Sequence, residues 1–179
     1  EPWRAALALL HSLELDWKPD LAPVRRARSR DDRELGKPVL DIISTQLETG
    51  TNAPLTSSLG RVFDAVSALI GVRQEISYEA QAAIELEALA DPDEDGRYPA
   101  DITGAPQINL RPTLERILTD LDQQVPAAVI SARFHNTLAS LVREISRAVR
   151  KKYGLTQFAL SSGVWQNITL LEKTLPLLH

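Results

Sequence analysis

The apolar pattern of residues 59–70 constrains the fold more than any other feature of the sequence. Six apolar residues recur there at helical spacing, namely Leu59, Val62, Phe63, Val66, Leu69 and Ile70. A period of about 3.6 residues is typical of a helix with one buried face. Ser57 or Ser58 is a suitable N-cap, and Gly71 ends the pattern. The sequence therefore predicts a central amphipathic helix against which other elements pack.

Other segments also repeat apolar residues at helical spacing, whereas strand signals are few. Helices are predicted over residues 2–14, 38–47, 78–89, 112–121 and from Pro126 to a cap at Gly154. A compact apolar run predicts a strand at Thr156–Leu160, and a shorter strand is expected near Gln107–Leu110. Residues 16–36 are expected to form a solvated connector. The predicted class is mainly α with few strands, in one domain spanning residues 1–179.

The composition of the chain excludes several functional classes. With a hydrophobic fraction of 44% and a net charge of −4, the chain has no general attraction for nucleic acid. It contains no cysteine, which rules out disulfides and thiolate metal sites and suits a cytoplasmic protein. No apolar run is long enough to span a membrane. A chain without methionine that starts at Glu1 is expected to be a piece of a larger protein.

Asp64 lies on the opposite side of the central helix from the apolar face. Its neighbours at four-residue spacing are Gly60 and Ala68, so the carboxylate belongs to a ridge of very small residues. A ligand could approach the backbone closely along such a ridge. The alternative is an ordinary exposed aspartate, which is common on helices.

Two candidate metal sites fail on ligand spacing. Residues 91–99 begin like a calcium loop, but the twelfth position is Ile102 where a bidentate glutamate is needed. This segment is expected to be an acidic surface turn. The three histidines, at positions 11, 135 and 179, lack the spacing of a metal site. His135 lies about 100° from Phe134 around its helix, so it could be exposed, pair with a carboxylate or face a cleft.

Two further segments could meet an anionic ligand. The turn at Ser161, Ser162 and Gly163 joins the predicted strand to a helix that starts near Trp165, and such a turn can present backbone N–H groups to phosphate. It is also a common plain connection. The arginines of residues 25–30 could form a cationic rim, although the acidic Asp31, Asp32 and Glu34 that follow would neutralise it.

Several longer motifs resemble one family of enzymes. They are EPWR at the start, TSSLGRVFDAV at 56–66, YEAQAAIELEALA at 78–90, ARFHNTLA at 132–139 and LSSGVWQN at 160–167. Together they resemble the C-terminal, TsaD-like domain of HypF carbamoyltransferases, which act in the maturation of [NiFe]-hydrogenases. The resemblance implies a partial lobe of an actin/Hsp70-like (ASKHA) α/β domain. Because the family's HHxAH and NDGG motifs have no counterpart here, residues 1–179 would be a fragment of that domain.

The resemblance also implies which residues meet nucleotide or carbamoyl adenylate. Asp64 and Asn167 match the positions that contact nucleotide in TsaD-like proteins, and Gln81, Glu85 and Gly163 fall on further motif positions. Two positions where the family has glycine carry Ala80 and Ser162. If the site needs positive φ there, each added Cβ costs about 1 kcal/mol. Neither a catalytic residue nor a metal ligand can be assigned, and any divalent metal of the parent enzyme would have its ligands outside this chain.

By resemblance, the parent enzyme would use carbamoyl phosphate and ATP to form carbamoyl adenylate. It would then transfer the carbamoyl group to the C-terminal cysteine of a HypE-type acceptor protein. The fragment would contribute to nucleotide binding and be inactive alone. The alternative is a non-catalytic helical interaction module. Self-association is also expected, because an unpaired strand at 156–160 would recruit another strand.

Overall fold

The computed structural model describes residues 1–30, 38–103 and 107–178. These residues form two compact units, Glu1–Leu86 and Glu87–His179. The α-helices are α1 (Pro2–Ser12), α2 (Ala22–Arg28), α3 (Val39–Thr49), α4 (Leu59–Leu69), α5 (Gln81–Leu89), α6 (Arg111–Asp122), α7 (Ala127–Tyr153) and α8 (Ile168–Thr174). Two 3-10 helices, Gly163–Gln166 and Leu175–Leu177, flank α8. The mainly α class is confirmed, whereas a single domain and an ASKHA lobe stay predictions.

The first unit is built around α4, as the sequence predicted. Helix α1 packs against α4, and α2 contacts both. Trp3 and Leu7 of α1 and Phe63 of α4 are almost fully buried. Burial of each such side chain stabilises the fold by roughly 1.5–3 kcal/mol. From Phe63 to Leu69 every residue of α4 is buried. The helix is therefore covered on all sides there, and not only on the one apolar face that the sequence predicted.

The predicted connector at residues 16–36 contains α2, so that prediction is wrong in part. Pro23 stands in the first turn of α2, where its missing N–H has no cost. Together with Val24 and Ala27 it is buried. The proline and arginine content hid a helix of only seven residues, of which three are buried. The acidic residues Asp31, Asp32 and Glu34 lie outside the described residues.

Two of the arginines expected to form a cationic rim, Arg26 and Arg30, are paired with glutamates. Arg26 Nη2 lies 2.7 Å from Glu75 Oε1, and Arg30 Nη2 lies 3.2 Å from the same oxygen. Arg30 also pairs with Glu1. Within the described residues these charges tie α2 to the start of α1 and to the loop after α4, which is a structural role.

The second unit is organised by α7, which packs against α6 and α8. Its buried face includes Ile130, Phe134 and Leu138. Gly154 caps α7 as the sequence predicted, and it does so in the left-handed conformation, with φ +70°. A small antiparallel sheet pairs β1 (Asp101–Thr103) with β2 (Gln107–Asn109), and Ile102 lies opposite Ile108. The short strand expected near 107–110 is therefore confirmed.

The strand predicted at Thr156–Leu160 does not form in this structure. Residues 155–160 belong to no helix or strand, and several of their side chains are exposed. A strand needs a neighbouring strand for its backbone hydrogen bonds, and the described residues offer this segment none. The self-association inferred from an unpaired strand stays a prediction. None of the described helices is both long and apolar enough to cross a bilayer.

Candidate functional site

Asp64 lies in the middle of α4 and is only 3% exposed, so the expected exposed ridge is wrong. The Arg61 guanidinium lies 2.9 Å from Asp64 Oδ2 as an ion pair, but without the geometry of a hydrogen bond. Burial raises the pKa of Asp64, and the Arg61 charge opposes that rise. A carboxylate that is buried without a full hydrogen-bond shell is costly for the fold. Its position therefore calls for a reason other than stability.

Further buried polar atoms lie on α4 and on the segments that contact it. Ser67 Oγ, Trp3 Nε1 and Gln74 Oε1 have no hydrogen-bond partner among the described residues. Gln74 links these segments, because its Nε2 donates to Ala68 O over 2.7 Å and its backbone O accepts from Trp3 N over 3.3 Å. Buried polar atoms in folded proteins are nearly always bonded to protein, water or ligand. These buried atoms on and around α4 therefore keep unused capacity for hydrogen bonds.

Gln81 and Glu85 are brought together at the start of α5, and a third residue joins them. Arg73 makes a bidentate pair with Glu85, with Nε–Oε2 and Nη2–Oε1 distances of 2.7 and 2.6 Å. Gln81 Nε2 donates to Glu85 Oε1 over 2.8 Å, and Gln81 Oε1 accepts from Ser77 N over 2.7 Å. The hydrogen bond from Arg73 is the main reason why the pKa of Glu85 is lowered. The cluster fixes the loop between α4 and α5.

Sequence reasoning missed Arg73, although a signal existed. A lone arginine twelve residues before a glutamate is a weak pattern, but both flank one short link between two helices. Ala80, in the same link, has φ +61°, so the positive φ considered for this family glycine is confirmed. The link is thus held in a strained conformation by side-chain bonds on both sides of it.

Asn167 is 8% exposed and caps the last α-helix. Its Oδ1 accepts from Leu170 N over 2.7 Å, and its Nδ2 lies 3.0 Å from His135 Nε2. His135 is fully buried, so exposure is excluded among its three predicted environments. Burial lowers the pKa of His135. The sequence singled out His135 within the ARFHNTLA motif, but its contact with Asn167 was not predicted.

The turn at residues 161–163 is exposed, but the helix end behind it is already occupied. Ser162 has φ +90° and ψ 163°, a region that glycine adopts and other residues avoid. Of the N–H groups that α8 could offer to phosphate, Thr169 N donates to Glu87 Oε1 over 2.9 Å and Leu170 N donates to Asn167. Ser161 and Gly163 therefore present an exposed turn rather than an open helix terminus.

A polar cluster that the sequence analysis did not predict lies between α6 and α7. Asp120 is 2% exposed and accepts hydrogen bonds from Tyr98 Oη at 2.8 Å and Arg133 Nη1 at 2.9 Å. Arg133 also pairs with Glu94 of the acidic segment over 3.2 Å. Burial, with the bond to Asp120, raises the pKa of Tyr98. The spacing of Asp120 three residues after the inward Ile117 was the signal that it faces inward.

The acidic segment 91–99 is attached to α7 and does not form an open cation loop. Asn136 Nδ2 donates to Glu94 O and Gly96 O over 3.0 and 2.8 Å. Within residues 1–30, 38–103 and 107–178, no group of three or more His, Cys, Asp or Glu side chains could hold a metal. The described residues therefore do not fit a metal cofactor. Asp64 and Asn167 belong to different units, and their meeting in one cleft stays a prediction.

The comparisons with known proteins agree with the motifs. A family model described as carbamoyltransferase, Kae1-like domain, second subdomain, matches residues 1–179. Carbamoyltransferase HypF of Synechocystis sp. is 35% identical over 134 residues, which are 73% of this chain and 17% of that protein. The HypF homolog of Cupriavidus necator is 34% identical over 177 residues, 93% of this chain and 42% of that protein.

A solved structure shows the same fold. The crystal structure of full-length HypF in its phosphate- and nucleotide-bound form has a TM-score of 0.81 and 32% identity. The similarity covers 98% of this chain and 26% of that one. The chain thus spans less than half the length of each of these relatives. Because the family model matches its whole length, the chain belongs to the HypF carbamoyltransferase family, as the second subdomain of the Kae1-like domain.

Proposed function

We propose that the chain is the part of a hydrogenase-maturation carbamoyltransferase that contributes contacts to nucleotide and carbamoyl adenylate. The observation that carries this proposal is the end-to-end match to the family, which includes a structure described as nucleotide-bound. The buried, incompletely bonded Asp64 supports it from this chain's own geometry. Natural proteins keep such a costly group where function requires it.

In the proposed reaction, water cleaves carbamoyl phosphate to carbamate and phosphate, and carbamate then attacks the α-phosphate of ATP to form carbamoyl adenylate and release pyrophosphate. The carbamoyl carbon then bonds to the sulfur of the C-terminal cysteine of a HypE-type acceptor, and AMP leaves. The present chain has no cysteine, which is consistent with an acceptor thiol supplied by a partner protein. Catalytic groups and any divalent metal ligands would come from other parts of the enzyme, so this chain alone is inactive. The proposed compartment is the cytoplasm.

Asp64 and Asn167 are the proposed contacts with the strongest chemical case. A carboxylate accepts hydrogen bonds from a ribose diol, whereas a carboxamide both donates and accepts. Ser161 and Gly163 would line the exposed turn near the ligand. Glu85 is already bonded to both Arg73 and Gln81. The proposed part of Gln81 and Glu85 is to hold the loop in place beside the ligand.

The test is calorimetric titration of ATP and AMP into the protein that carries this chain, expressed in full. Asp64→Asn keeps the side-chain shape and removes the charge. We expect it to weaken binding by roughly 5- to 150-fold, since a charge-assisted hydrogen bond contributes about 1–3 kcal/mol. Asp41→Asn is the matched control, because Asp41 is exposed on α3 and carries no proposed ligand role.

Two results would contradict the proposal. If Asp64→Asn and Asp41→Asn bind ATP equally well, Asp64 is not a ligand contact. If the unchanged protein binds neither ATP nor AMP, the interaction-module interpretation replaces the nucleotide-binding one.

A further inference from the structure

We propose that His135 is a positioning residue that fixes the amide orientation of Asn167. The inference deepens the proposed function, since Asn167 is one of its ligand contacts. It starts from a chain of three hydrogen bonds within the second unit. Ser131 O lies 2.8 Å from His135 Nδ1, His135 Nε2 lies 3.0 Å from Asn167 Nδ2, and Asn167 Oδ1 lies 2.7 Å from Leu170 N.

The two ends of this chain are backbone groups whose polarity cannot change. Ser131 O only accepts, so His135 Nδ1 must carry the proton that it donates. Leu170 N only donates, so the Asn167 atom that faces it must be the oxygen. His135 Nε2 is then unprotonated and accepts from Asn167 Nδ2. Each bond thus agrees in direction with the next, and reversal of either side chain would break two of them.

This arrangement also determines what Asn167 can offer to a ligand. One Nδ2 hydrogen and one Oδ1 lone pair remain without a partner among the described residues. A donor and an acceptor held side by side in known order suit the edge of a nucleobase or a carbamoyl group, which present an acceptor beside a donor. Without His135, only the bond from Leu170 N to Asn167 Oδ1 would hold the amide. The Nδ2 group of Asn167 could then turn away from its present position.

Full burial makes His135 suited to this task. No part of the ring is exposed, so water does not compete for Nε2. Burial also lowers the pKa of His135, which keeps the ring neutral and Nε2 able to accept near neutral pH. Among the described residues, Glu87 raises and Lys173 lowers the pKa of His135, so their effects oppose each other.

The test compares two amide variants of His135 in the fully expressed protein. The longer side chain of His135→Gln can place an acceptor where Nε2 was, whereas His135→Asn reaches only the Nδ1 position and keeps the bond to Ser131 O. We expect His135→Asn to weaken ATP binding by about 2- to 10-fold, the scale of one hydrogen bond, and His135→Gln to stay closer to the unchanged protein. Thr137→Val is the control, because Thr137 is buried on the same helix and bonds to Tyr98 and Arg133 instead.

Nitrogen-15 NMR separates this inference from the proposed function. The unchanged protein should show His135 as the Nδ1–H tautomer, and the Asn167 side-chain resonances should shift in His135→Asn more than in Thr137→Val. An Nε2–H tautomer, or Asn167 resonances and ATP affinity unaffected by His135→Asn, would overturn the inference. If the unchanged protein binds no nucleotide, the proposed function fails, and the tautomer and the Asn167 resonances still decide the role of His135.

Discussion

Two residues with positive φ provide the sharpest test of the backbone geometry. Ser162 has φ +90° and ψ 163°, and Ala80 has φ +61°. We expect Ser162→Gly and Ala80→Gly each to stabilise the protein. The reason is that glycine adopts these conformations without the clash that a Cβ causes.

The magnitude follows from two opposing terms. The strain is roughly 1–3 kcal/mol for the region of Ser162 and about 1–2 kcal/mol for the left-handed region of Ala80. Against this gain, glycine lowers the free energy of unfolding by about 0.4–1 kcal/mol, because it makes the unfolded chain more flexible. The net gain in the free energy of unfolding is therefore about 1 kcal/mol, and it should be larger for Ser162→Gly than for Ala80→Gly.

The assay is urea unfolding followed by circular dichroism, with Ala159→Gly as the matched control. Ala159 is exposed, has no positive φ and lies outside helices and strands, so the same loss of a Cβ should destabilise by about 0.4–1 kcal/mol. If all three variants destabilise alike, the positive φ angles at residues 80 and 162 do not store strain. A gain in stability with weaker ATP binding would show that the strained conformation serves the site.

Three further predictions concern the polar clusters. Asp64→Asn should raise the free energy of unfolding at neutral pH, measured by urea unfolding, because it removes a buried charge whose pKa in the folded protein is raised above 3.8. The difference in stability between the variant and the unchanged protein should shrink as the pH falls through that raised pKa. If the variant is no more stable at neutral pH, burial of the Asp64 charge has no cost. The pKa of Glu85 is lowered, so the stability that its pair with Arg73 contributes should be fully present above pH 4.5, the usual pKa of a glutamate, and be lost as the pH falls through the lowered pKa. Arg73→Gln should abolish this dependence of stability on pH. Asn167→Ser keeps a side-chain oxygen at the N-cap of α8, whereas Asn167→Ala does not. Thermal melting should therefore show the serine variant to be about 1 kcal/mol more stable than the alanine variant. Equal stability of the two variants would show that the cap does not stabilise the protein.

Helices were predictable because their signals are local. Periodic apolar residues, Pro126 before α7 and Gly154 after it gave bounds close to the observed ones. Helix α2 was missed because its buried side includes only Pro23, Val24 and Ala27, too few to show a period. The strand at 156–160 failed for the opposite reason, since a strand depends on a partner that local sequence does not reveal.

The site was less predictable, because burial of a polar residue depends on what packs around it. Asp64 was expected on an exposed ridge, but the small side chains of Ala65, Ser67 and Ala68 let neighbouring segments cover α4 closely. Asp120 is enclosed by Tyr98 and Arg133, which approach it from outside its own helix. Helix periodicity indicates that Asp120 faces inward, but no local pattern encodes which side chains bond to it there.

Unused hydrogen-bonding capacity distinguishes the candidate residues from one another. Glu85 is engaged by Arg73 and Gln81, so most of its capacity serves the fold. Asn167 uses one donor and one acceptor internally and keeps one of each. Asp64 is buried with an oxygen that has no hydrogen-bond partner among the described residues, so a ligand would relieve an existing cost there. The effect of substitution on ligand binding, relative to its effect on stability, should therefore be greatest at Asp64, smaller at Asn167 and least at Glu85.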